Sequence, residues 1–183
     1  MAMKAIYDSV SALWRKAERD AYRAFHAKSK AHKADHFLNF CITVHALRDF
    51  FLEAHNVPVA ARDTYHDNWN AEPLLVAVKD IANLSKHFQL RERKSGKPRS
   101  PKTRRLVRRR GQVVDVYVSA MGNIANVTRP AHEITITTSD GARHDLWTFQ
   151  IDVLDYWRDY LRRQSIRVLR QNERQFIDRS RGA

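Results

Sequence analysis

One cysteine, Cys41, is all that the chain offers for crosslinking, and five glycines and five prolines are all that it offers for tight turns. A lone thiol cannot close an internal disulfide, so nothing requires an oxidising compartment. Few turn residues favour long helices. No stretch approaches the roughly eighteen consecutive apolar residues of a spanning helix, so no membrane partner is expected. The opening residues, MAMKAIYDSVSALWRKAERD, interleave charge with apolar side chains, which argues against a secretory signal. A soluble, cytoplasmic protein is the expectation. Several chemistries lack their residues: there is no phosphate-cradling glycine loop, no cysteine pair for zinc, no HExxH helix and no GxSxG elbow. No cofactor is expected. His32 and His36 lie four apart and could share a helix face, but no third ligand is indicated and the lysines around them disfavour a cation, so no metal is expected either.

What is present is a core. Hydrophobic residues make up 43% and charged residues 29% of 183 positions, values of a globular chain long enough for one domain, 1–183. The net charge of +13 is unevenly placed. Residues 34–90 carry four cations against seven acids, and residues 111–161 carry three against seven. Residues 91–110 carry eleven cations and one acid. The excess is therefore a local basic segment, flanked by mildly acidic chain.

Apolar spacing predicts the elements. Ile6, Val10, Leu13, Trp14, Ala17, Ala21, Ala24 and Phe25 recur at helical steps, predicting a helix over 3–32. A second helix starts near Asp35 as N-cap and ends before Pro58. Residues 56–72 read as irregular, with Tyr65 and Trp69 as anchors. Pro73 suits a first helical position and opens a third helix that completes a helical core over 1–90. A basic loop occupies 91–110. The period then changes to alternation, predicting a β-meander over 111–147 with strands near 112–119, 132–138 and 142–147 about the turn SDG. Thr148 caps a last helix over 148–178. The expected class is α+β, a bundle of about four helices with a small three-stranded antiparallel sheet inserted before the last one.

The stretch HALRDFFLEAH places Arg48 and His55 seven apart, two helical turns, so both project from one helix face. Arg48, the acid Asp49 that follows it, and His55 resemble the signature of HEPN ribonucleases, an arginine, a polar residue and then a histidine. The resemblance implies a helical bundle, commonly dimeric, and metal-independent endoribonuclease activity of toxin type. It implies Arg48 as phosphate clamp, Asp49 as orienter and His55 as acid/base. The same spacing recurs at Arg19–His26. A structural reading stands beside the catalytic one, in which Arg48 lies along a helix edge and His55 sits near a helix C-terminus.

KDIANLSKHF sets Asp80, Asn83 and His87 on one polar stripe, with Lys86 beside it. Packed against the second helix, that stripe either pairs Arg48 with Asp80 in a buried network or lines a cleft to which Asn83, Lys86 and His87 contribute. The basic segment is the strongest single feature. Arg91, Arg93, Lys94, Lys97, Arg99, Lys102, Arg104, Arg105, Arg108, Arg109 and Arg110 would bind the phosphates of RNA or another nucleic acid by releasing counterions. Tyr117 and Trp147 could stack unpaired bases. Arg162, Arg163, Arg167, Arg170 and Arg174 could extend that track or dock on an acidic protein. Three readings therefore stand: a dimeric HEPN-like endoribonuclease, a non-catalytic nucleic-acid or ribonucleoprotein module, and an assembly protein with an acidic partner.

Overall fold

Three helices in this chain start at serine or aspartate caps that apolar periodicity does not reveal. The computed structural model describes residues 6–86, 100–118 and 121–168. The first helix, α1 (Val10–His26), begins at Ser9, whose hydroxyl accepts from the Ala12 amide. It stops at Ala27, where the backbone turns extended. Ser29 then caps α2 (Lys30–Ala54) by accepting from the His32 amide at 3.0 Å. The expected single helix over 3–32 is thus broken at 27–29, and Ser29 takes the capping role expected of Asp35, because a serine hydroxyl satisfies a helix-end amide that would otherwise be orphaned.

Lys33 makes the reversal a fixed corner. Its ammonium is buried and donates back to the carbonyls of Ala24 and Phe25, at 3.1 and 2.8 Å, satisfying two acceptors at the end of α1. Removing that charge while keeping the stem, as in Lys33→Met, should lower stability by about 1 kcal/mol. The check is a lower urea midpoint with an unchanged slope.

The segment 56–72 is helical, not irregular: α3 (Val59–Ala71) follows Pro58. Then α4 (Pro73–Lys86) runs through the centre of the molecule, buried at Leu75, Val76, Ala77, Val78, Asp80, Ile81 and Ala82. A helix covered on nearly every side packs between other elements; α2, α3 and α5 (Leu146–Arg163) all touch it. The last helix is capped by Asp145, which accepts from the Thr148 amide at 2.9 Å. Its cap therefore lies three residues before the expected Thr148, and the helix ends at Arg163 instead of reaching 178. Among the described residues there are five helices, the additional one being α3, and the α+β class is as expected. None of the described helices is long and apolar enough to cross a membrane.

The sheet precedes α5, in the order β1 (Arg105–Val118), β2 (Ile124–Thr137), β3 (Arg143–Asp145), all antiparallel. The first strand begins at Arg105, so the last six residues of the expected basic loop are strand. The β2–β3 turn is held by Asp140, which accepts from the Thr138 hydroxyl at 2.5 Å and the Ala142 amide at 3.1 Å. Those two donors hold its carboxyl below the usual range. Gly141 supplies the positive φ of 98° that the turn needs.

Ile134 and Ile136 join the sheet to the helical core beside Leu146 and Phe149. The core otherwise centres on α2, where Phe37, Phe40, Cys41, Val44, Leu47, Phe51 and Leu52 are buried at three- and four-residue steps. Cys41 is fully enclosed, and burial pushes its thiol pKa up.

Candidate nucleic-acid interface

The residues implied by the HEPN resemblance differ sharply in burial. Arg48 lies inside the core, 3% exposed. It donates to the Leu75 carbonyl of α4 at 3.1 Å and to Oδ1 of Asn70 in α3 at 3.2 Å. Its guanidinium also lies 5.7 Å from the centre of the Trp69 ring. Lys79 donates to the same Asn70 oxygen at 2.8 Å. Burial lowers the Arg48 pKa from 12.5 to about 10, which still leaves it charged at neutral pH.

Around this cation stands an aromatic group with Trp69 as hub, its ring centre within 6.0 Å of those of Phe51, Tyr65, Trp157 and Tyr160. Burial raises the Tyr160 phenol to about 12, so at neutral pH it is a neutral side chain. Tyr65 and Trp69 anchor the chain as their sequence position suggested, although from a helix.

His55 is at the other end of the motif in every sense. It is exposed, occupies the C-cap of α2, and lays its ring on Phe51 at 4.4 Å. Asp49 is exposed. The repeat of the motif gives an exposed Arg19 and a half-buried His26 packed on Tyr22 and Phe25.

Nor does Arg48 meet Asp80. The Asp80 carboxylate, 0% exposed, accepts from the Lys102 amide at 2.7 Å, the Thr103 amide at 2.9 Å and the Thr103 hydroxyl at 3.1 Å. It therefore fastens the chain immediately ahead of β1 to the central helix. Asn83 is half-buried on the same helix. The Lys86 side chain, and His87, Arg91, Arg93, Lys94, Lys97 and Arg99, lie outside the described residues, as do Arg170, Arg174 and the Tyr117 side chain. Trp147 packs on Phe25 at 4.6 Å.

What the fold brings together is the cation row of β1. Arg104 donates to the Ser139 carbonyl at 3.0 Å and so braces the β2–β3 turn. Beyond it Arg105, Arg108, Arg109 and Arg110 are all exposed. Register assigns them to faces, because residues directly opposite each other share one. Arg105 opposes Thr137, which in turn opposes Arg143, so two arginines flank the central strand on the outer face. Arg109, opposite Glu133, shares that face. Arg108 and Arg110, opposite Ile134 and His132, share the inner face. Gly111 follows, and a Cβ there would lie 2.2 Å from Oε1 of Glu133, so the glycine leaves that side chain its place.

Two features escaped the sequence reading. Arg143 joins Arg105 only through the three-stranded register, which spacing along the chain does not show. The hairpin end is bare and apolar: Met121, Ile124 and Val127 are 88%, 69% and 50% exposed. Ile124 and Val127 are of opposite strand parity, so apolar side chains stand exposed on both faces of the ribbon. Comparison with known proteins finds no matching family model, curated protein or solved structure.

Proposed function

We propose that this chain binds the phosphate backbone of a nucleic acid through the root of its β1–β2 hairpin. The observation that carries this reading is the idleness of four neighbouring cations. The guanidinium groups of Arg105, Arg108, Arg109 and Arg110 have no hydrogen-bond or ion-pair partner among the described residues, whereas Arg62 pairs with Glu53 at 2.9 Å and Arg158 with Asp155 at 2.6 Å. Like charges held side by side on a rigid strand repel one another, and a polyanion relieves that repulsion while releasing its own counterions.

Catalysis is no part of this reading, because the Arg48 guanidinium is already engaged by Leu75, Asn70 and Trp69. The test is a salt titration of binding to RNA and to DNA. Substituting the four arginines by threonine, which suits a strand, should lower the slope of log K against log salt by about 3–4. An unchanged slope would sink the proposal. RNA cleavage that His55→Ala abolishes would restore the nuclease reading, and binding displaced only by acidic protein would favour the assembly reading.

A further inference from the structure

Phosphate contact accounts for the root of the hairpin and leaves its outer half unexplained. From the Gly111–Ala131 pair to the Val118–Ile124 pair the strands continue for eight rows. At about 3.3 Å per residue, this is an arm of about 25 Å. Every residue from 124 to 128 is exposed. Because successive strand residues point to opposite faces, neither face there is covered by the described chain. A two-stranded ribbon with nothing packed on it is marginally stable in water, and one that ends in exposed apolar side chains is costlier still. A partner that takes up both the cations and the apolar end removes that cost.

We propose that the arm lies in the major groove of B-form double-stranded DNA. In that position the root arginines contact the phosphates, and Met121, Ile124 and Val127 meet thymine methyl groups. The inference rests on the phosphate-binding reading above. Two properties of nucleic-acid grooves, set against the cations and the apolar end of the ribbon, select this occupant. First, the major groove is about 12 Å wide and admits a two-stranded ribbon, whereas the minor groove, at about 6 Å, does not. The major groove of an RNA duplex is too deep and narrow for side chains to read. Second, the thymine C5 methyl is the apolar group that the major-groove floor displays, which suits an apolar end rather than a polar one. Cations at the root and apolar groups at the end lie on one continuous ribbon, so a single docking satisfies both.

The experiment uses the full chain and fluorescence anisotropy with short duplexes of one sequence, made with thymine or with deoxyuridine, which lacks the methyl. A duplex RNA and a single strand of the same length complete the set. Duplex DNA should bind most tightly. Deoxyuridine should weaken binding about fourfold for each methyl that is buried. The double variant Met121→Ser/Ile124→Ser should bind thymine DNA less tightly, narrow the difference between thymine and deoxyuridine, and keep the wild-type salt slope. The arginine variant should show the opposite pattern, a lower slope with the difference kept. Circular dichroism on each variant confirms that the fold is retained.

Equal affinity for the two duplexes would overturn the proposal, as would equal binding of duplex RNA. So would a serine variant whose only change is its association state in light scattering, which would make the arm a contact between copies. Failure of the parent reading looks different: no salt-dependent binding to any nucleic acid at all.

Discussion

Arg48→Ala should destabilise the fold by about 3 kcal/mol, with a fall in melting temperature of about 6–12 °C. The loss comes mainly from volume. Asn70 keeps its bond from Lys79, and the Leu75 carbonyl belongs to a helix, so neither acceptor is stranded by the substitution. What disappears is the side chain that fills the space between α2, α3 and α4 and covers the Trp69 ring. Arg48→Met is the informative companion. A buried charge replaced by an apolar side chain of similar length is often neutral, so the methionine variant should recover most of the lost stability. If alanine melts like wild type, the guanidinium is not a core group. If methionine is as damaging as alanine, the hydrogen bonds outweigh the volume.

Asp80→Ala carries the second large effect, about 2–3 kcal/mol, for a different reason. Here three donors lose their acceptor together, two of them backbone amides. Hydrogen exchange should report the change locally, with faster exchange at Lys102 and Thr103 and little change in α2. Asp80→Asn retains a carbonyl oxygen without the charge, so it should fall between alanine and wild type. Wild-type exchange at both amides in the alanine variant would show that Asp80 does not hold this segment.

These two residues also show what could be read from the chain and what could not. The sequence correctly marked Arg48 and Asp80 as charges needing partners, and a mutual pairing was the simplest solution. Both instead found partners that include backbone, the Leu75 carbonyl and the 102–103 amides, and backbone groups carry no signature in a one-letter sequence. A different reason hid α3: only Trp69 of its thirteen residues is buried, so there was no apolar stripe to count. The start of β1 was hidden by its own arginines, which interrupt the alternation that identifies a strand. Long apolar stripes, as in α2 and α5, and the SDG turn were legible, because burial and positive φ each demand particular residue types. The candidate interface was legible as charge and not as geometry, since which arginines share a face depends on a register fixed by two other strands.

The sealed thiol of Cys41 has a practical side. It is the single sulfhydryl in the sequence, and burial raises its pKa and walls it off from solvent. The native protein should therefore react little with maleimide dyes and spin labels. A cysteine introduced on the arm, at Asn126 for example, becomes the one address such a reagent can find, and the hairpin can be watched by itself.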